Sequence, residues 1–262
     1  MISYIVIGSV SCLVAGITLF SGFGLGTVLM PAFAIFFPLK IAIAATAIVH
    51  LANNIIKGIL VGRYADIKIT LLFVVPAIPL AFLGAWLLNI LPSDALYTYT
   101  IQGKAFSITL VKIIIGLLMA LFSLFELNSK LAAVSFGKKF IPLGGALSGF
   151  FGGVSGHQGA FRSTFLLKAG LTKNAFVGTT VLAAILVDIS RIVVYGITFL
   201  KNDIAQLQNS AVLYHVVVGS IAAFLGVFIG SRLIEKITYR FIQLLVGVLL
   251  FVIAVGLISG LL

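Results

Sequence analysis

The chain predicts an all-α polytopic membrane protein built from two homologous, inverted repeats, each with a glycine-rich broken or re-entrant helix. Three observations lead there. Hydrophobic residues fill 61% of 262 positions and charged residues only 9%, with mean hydropathy +1.28. No water-soluble domain of this size could cover so much apolar surface. Dense glycine segments recur in the two halves, at 21–26 and 148–162. Lys57 and Arg191 lie inside long apolar stretches at matching positions. An ionised side chain at bilayer depth costs at least about 2.5 kcal/mol, so a charge buried twice by repetition points to function.

Apolar runs cover residues 2–20, 27–37, 41–61, 69–91, 111–127, 140–154, 174–200, 212–231 and 241–262. Several reach the roughly 20 residues that a helix needs to cross a bilayer. The runs at 27–37 and 140–154 are too short for an easy crossing. The first run has no basic segment before it and no small-residue cleavage site after it, so it reads as a retained helix rather than a signal peptide. Cys12 is the single cysteine, which excludes an intrachain disulfide and a cysteine-based metal cluster. Six carboxylates and no HExxH, Walker A or GxSxG pattern leave a protease, an ATP-driven pump and an acyl hydrolase without their minimum parts. The expectation is therefore no enzyme and no cofactor. A net charge of +11 would suggest nucleic acid in a soluble domain, but here the cations lie in short loops and read as a topology signal.

The halves match as residues 1–127 and 128–262. His50, Asn54, Lys57 and Gly62 fall on Ala184, Asp188, Arg191 and Gly196 at an offset of 134. The block Ala81 to Gly84 recurs as Ala223 to Gly226, and GLGTVLMPAF from Gly24 lies on GHQGAFRSTF from Gly156. The order of the blocks is preserved, as duplication requires. Glycine at this density lets the backbone leave the helix, which at membrane depth needs surrounding protein or a watery cavity. Paired interruptions of this kind mark transporter binding sites, although close packing through small residues gives similar spacing.

Loop cations choose between parallel and inverted copies. If the glycine segments cross the membrane, the cations divide six against eight. If the segments re-enter, Arg63, Lys68, Lys130, Lys138, Lys139, Lys168, Lys173, Arg232, Lys236 and Arg240 share one side, with Lys40, Lys104, Lys112 and Lys201 on the other. Ten against four fits a cytoplasmic face, so the copies are read as inverted with both termini outside.

The segments GFGLGTVLMPAF with AIAATA, and LSGFFGGVSGHQGAF with LLKAGLTKNAFVGTTV, resemble the TauE/SafE sulfite exporter family over nearly the whole chain. The resemblance implies an integral membrane protein that moves sulfite, sulfonates or related small sulfur-containing anions. The usual GxGGG pattern is altered: Leu25 replaces a middle glycine in the first copy, and His157 and Gln158 stand in the second. That bears on the particular substrate more than on the fold.

On a helix His50, Asn53, Asn54 and Lys57 share one face, and Thr180, Ala184, Asp188, Arg191 and Tyr195 form the equivalent stripe. Asp188 stands three residues from Arg191 and can pair with it. Lys57 has no acidic residue within reach on its own helix, which makes an anion its natural partner. Backbone N–H groups at Gly24 to Thr27, including Gly26, and at Gly156 to Ala160 would add directional donors. Arg162 can hold two oxygens of an oxyanion or snorkel to the interface. His157 can couple a proton or serve as a hydrogen-bonding partner. Trp86 and the tyrosines read as core or interfacial anchors.

The expected function is a secondary transporter of a small sulfur-containing anion by alternating access, in the cell membrane of a bacterium. The alternative is a passive anion channel; an interaction subunit would leave the duplicated charges unused. Expected partners are the anion, the lipid bilayer and a coupling proton or sodium ion, with no nucleic acid. Self-association as a homodimer is compatible with this reading.

Overall fold

The computed structural model describes residues 1–18, 24–132, 134–202, 210–233 and 239–262. Ser21 to Phe23 of the first glycine segment and Lys236 lie outside the described residues. The first half contains α1 (Ile2–Ile17), α2 (Leu25–Ala34), α3 (Leu39–Val61), α4 (Ile67–Ile90), a β-hairpin of β1 (Ala95–Ile101) and β2 (Lys104–Thr109), and α5 (Leu110–Leu127). The second contains α6 (Ser129–Ala132), α7 (Ile141–Ser155), α8 (Gly159–Leu166), α9 (Lys173–Asn202), α10 (Ser210–Leu233) and α11 (Tyr239–Ser259). Among the described residues five helices are long and apolar enough to cross a membrane, spanning Leu39–Tyr64, Ile67–Ile90, Leu110–Leu127, Lys173–Ile197 and Val212–Gly230. At 1.5 Å per residue α3 is roughly 35 Å long, whereas α1 and α7 are only about 22–24 Å, short of the ~30 Å hydrocarbon core.

Local chemistry sets the starts of these helices. Asp66 accepts the Ile69 N–H at 3.0 Å to cap α4, and Thr109 accepts the Lys112 N–H at 3.2 Å to cap α5. Pro38 precedes α3 and Pro142 stands in the first turn of α7, where its missing N–H costs nothing. The hairpin departs from an all-α chain and was not read from the sequence. Its turn holds Gln102 at φ 48° and Gly103 at φ 77°, the two left-handed residues of a tight primed turn. The Tyr99 hydroxyl ties it to the end of α11 by donating to the Ser259 carbonyl at 2.6 Å.

Each half reaches into the other. α7 packs along α4, and α1 packs along α10 in the same manner; α5 pairs with α11 and α3 with α9. Glycines make the closest approaches. A methyl built on Gly145, Gly149 or Gly153 would stand 1.9, 2.1 or 2.3 Å from the carbonyl oxygens of Phe73, Ala77 and Ala81. One on Gly226 would stand 2.0 Å from the Cys12 carbonyl. The glycine-rich stretch was expected to break the helix from residue 148 onward. Residues 148–155 instead stay helical, because their glycines serve backbone-to-backbone packing on α4. The break itself is confined to Gly156–Gln158.

After it α8 doubles back along α7. Ser148 Oγ donates to the Gln158 carbonyl at 2.8 Å, and a methyl on Gly144 would collide with the Phe165 ring. Across the halves, Ser3 of α1 bonds His215 of α10 at 2.8 Å and Phe37 packs edge-on against the same imidazole at 5.1 Å. The start of α1 and the end of α2 thus share one end of the bundle. Lys40, which donates to the Asn89 and Leu91 carbonyls at 3.0 and 2.7 Å, and the hairpin with Ser259 lie at that end too. The opposite end gathers Asp66 with Thr179, Phe136 with Thr164, and Arg240 with the end of α5.

A candidate anion site where the helix breaks meet

The polar face of α3 is turned inward as its spacing requires: His50, Asn53, Asn54 and Lys57 are all buried, none above 6% exposed. α9 presents Asp188 and Arg191 opposite, both at 0%. The Asp188 carboxylate is the hub between them. One oxygen accepts from His50 Nδ1 at 2.6 Å. The other accepts from Gln158 Nε2 at 2.7 Å and from Arg191 Nε and Nη2 at 3.0 and 2.7 Å. The Asn54 carboxamide lies against the same imidazole, its Nδ2 3.0 Å from Nδ1. A buried carboxylate persists only when several charged or dipolar donors reach it, and here they come from α3, from the break and from α9 itself. The Asp188–Arg191 pairing open at the sequence level is therefore present; the ties to His50 and Gln158 join residues far apart in the chain.

The start of α2 touches the break of the second half. Gly24 (φ 116°) and Gly156 (φ 82°) both adopt left-handed backbone that side chains disfavour. A methyl on Gly26 would lie 3.5 Å from the Gly156 carbonyl oxygen and 3.3 Å from the His50 ring, and one on Gly156 would lie 3.2 Å from Arg191 Nη1. The Gly156 N–H already donates to the Gly152 carbonyl at 2.9 Å, so the second half-helix opens later than expected, at Gly159 with Gln158 as its cap.

Lys57 and Arg191 occupy related places. Lys57 Nζ donates at 3.4 Å to the carbonyl of Thr18, which closes α1; Arg191 Nη1 donates at 3.3 Å to the carbonyl of Gly152 in the last turn of α7. Each cation thus answers the negative end of a half-helix dipole as well as facing the cluster. Arg162, on α8, is 2% exposed rather than at an interface, and it lies within electrostatic reach of His50, Lys57, Asp188 and Arg191. His157 stacks on Phe122 at 5.6 Å, and its Nδ1 lies 2.9 Å from the Ser155 carbonyl oxygen. Trp86 is 55% exposed on the outer surface.

Several buried polar atoms of this region have no hydrogen-bond partner among the described residues: both ends of the Asn53 carboxamide, Gln158 Oε1, His157 Nε2, and the hydroxyls of Thr46 and Thr180. An unpaired buried group costs about 1–3 kcal/mol, so a ligand able to satisfy it binds with advantage. Thr46 was missed in the sequence, although the offset of 134 that pairs Lys57 with Arg191 also pairs it with Thr180. Arg191 pairs with the Asp188 carboxylate, and Arg162 lies within electrostatic reach of both Asp188 and Lys57; three buried cations to one carboxylate leave an excess positive charge that suits an anion. Among the described residues no group of three or more His, Cys, Asp or Glu side chains is arranged for a metal ion.

A bundle of apolar spans around a buried cationic cluster defines a multi-pass membrane protein of the transporter class. The family model described as sulfite exporter TauE/SafE matches residues 5–257. The chain belongs to the TauE/SafE sulfite exporter family, a family of membrane transporters rather than of enzymes. No curated protein and no solved structure matches it.

Proposed function

We propose that the protein is a secondary transporter of a small sulfur-containing oxyanion, such as sulfite or a sulfonate, across a bacterial cell membrane. The observation that carries this reading is the contact between the start of α2 at Gly26 and the break at Gly156, beside His50 and Arg191, in a buried polar region that also holds Lys57, Arg162 and the unpaired carboxamide of Asn53. Cations neutralise the oxyanion, and amide and hydroxyl donors orient it. The family's description as sulfite exporters supports the choice of substrate class.

The two halves act as inverted repeats whose α1–α2 and α7–α8 units enter the membrane and return on the same side. The reciprocal packing of α1 on α10 and of α7 on α4 supports this, as does the gathering of residues 3 and 259 at one end of the bundle. The cation-rich end, with Arg63, Lys138, Lys139 and Arg240, is then cytoplasmic. No member of the polar cluster exceeds 6% exposure, which favours a carrier that opens to one side at a time over a standing pore. A proton or sodium gradient supplies the energy.

The test is thermal stabilisation of detergent-purified protein across sulfite, thiosulfate, sulfate, sulfonates and carboxylates, because a ligand bound only by the folded state raises Tm. Selective stabilisation by sulfur oxyanions, lost in Lys57→Ala, is the expected result. Stabilisation only by carboxylates would set the substrate class aside.

A further inference from the structure

Opposite the polar cluster, on the other side of α8, lies a cavity of 200 Å³ between α5, α7, α8 and α11, closed at one end by Leu131, Val134 and Phe136. The helix divides the two regions by its own periodicity. Arg162 faces the buried cluster, while Ser163 lines the cavity with Phe161, Phe122 and Phe125. Glu126 at the end of α5 and Gln243 on α11 line the same space, as does Thr164, whose hydroxyl donates to the Ala160 carbonyl at 2.9 Å. Glu126 is 5% exposed, Ser163 5% and Gln243 7%. The Glu126 Oε2 and the Ser163 hydroxyl have no hydrogen-bond partner among the described residues.

The nearest cation from a packed element is Arg240 of α11, but its guanidinium is turned to the backbone. Nη1 donates to the Glu126 carbonyl at 2.9 Å and Nη2 to the Leu127 carbonyl at 2.6 Å, so it caps α5. Among the described residues Glu126 takes part in no ion pair, and Lys130 on α6 is exposed to solvent. A buried carboxylate either takes up a proton or holds a cation, and the Arg240 guanidinium is directed to the backbone instead.

We propose that this cavity binds a monovalent metal cation of the sodium class, held between the Glu126 carboxylate, the Gln243 carboxamide oxygen and the Ser163 hydroxyl. One carboxylate balances a single positive charge; a divalent ion would ask for more acidic ligands and would give up its water reluctantly. The volume holds several waters, enough to complete the coordination shell. The cavity stands on its own residues, and only its role as the coupling site rests on the transport reading. In that role a cation on Ser163 would fix α8, whose opposite face carries Arg162.

The experiment uses the full-length purified protein in sodium, potassium or choline chloride at constant ionic strength, reading Tm alongside direct binding of radioactive sodium. The expected result is saturable sodium binding and stabilisation, with apparent sodium affinity weakened at least about tenfold in Glu126→Gln and in Gln243→Leu. Two variants guard against one that fails to fold, and binding by the wild type is independent of both. Absence of sodium binding, equal stabilisation by choline, or unchanged affinity in both variants would overturn the proposal, as would stabilisation by acid alone. Thermal shifts from sulfur oxyanions are read in the same samples. Loss of those shifts with sodium binding intact would count against the transport reading alone.

Discussion

His50 Nδ1 stands 2.6 Å from Asp188 Oδ2, so the carboxylate that gathers the second half's break and Arg191 is also fastened to α3 of the first half. Both side chains are buried, and 138 residues separate them in the chain. Asp188→Asn removes the negative charge from a cluster that keeps three cations. It should destabilise the folded protein by about 3–5 kcal/mol, the usual consequence of leaving buried charges without their counter-ion. Denaturation of the wild type and the variant in the same detergent measures this, and a variant as stable as the wild type would show that the network is not holding the halves together.

Lys57→Ala should weaken anion binding by roughly 10- to 100-fold, the worth of a charge-assisted contact in a buried site. Lys104→Ala, at the exposed hairpin, should change it little because water and salt screen that charge. Titration of the melting temperature with anion compares the two directly. Equal effects would mean that the buried position of Lys57 carries no special weight.

Packing gives a contrast between glycines. Gly149→Ala drives a methyl to within 2.1 Å of the Ala77 carbonyl oxygen, and α7 cannot approach α4 unless one backbone shifts. A loss of at least about 1–3 kcal/mol or failure to fold is expected. Gly196 on α9 has nothing within 4 Å of a built methyl, so Gly196→Ala should be neutral or raise stability by up to about 1 kcal/mol. Expression level and Tm of the pair rank the two sites, and tolerance of Gly149→Ala would discredit the close α4–α7 contact.

Reporter fusions test the orientation. A reporter joined after Leu262 should be active only outside the cytoplasm, and one placed in the 134–138 segment only inside. Cytoplasmic activity at Leu262 would restore parallel copies in which the glycine segments cross.

Much of this architecture is legible in the sequence because membrane helices are written in long apolar runs, and a polar stripe such as His50, Asn53, Asn54 and Lys57 can only turn inward. The offset between the halves singles out Lys57 and Arg191 from the sequence alone. Other features depend on contacts between distant segments. The expected break beginning at residue 148 proved helical because glycines there meet the α4 backbone, and a one-dimensional pattern does not separate glycine for bending from glycine for packing. The hairpin at 95–109 lies between apolar runs where loop cations stand, yet LYTYTI and KAFSIT alternate around Gln102 and Gly103, the signal that marks it. Glu126 is singled out only by the packing of α8 and α11 around it, which no local pattern announces.

The most direct test of an anion carrier centred on the meeting of the breaks is uptake of sulfur-35 sulfite by proteoliposomes under imposed proton or sodium gradients. Wild-type protein should give saturable uptake that responds to a gradient, and Lys57→Ala protein inserted at equal density should give little above empty vesicles. Flux that rises linearly with concentration, ignores both gradients and survives Lys57→Ala would contradict the account.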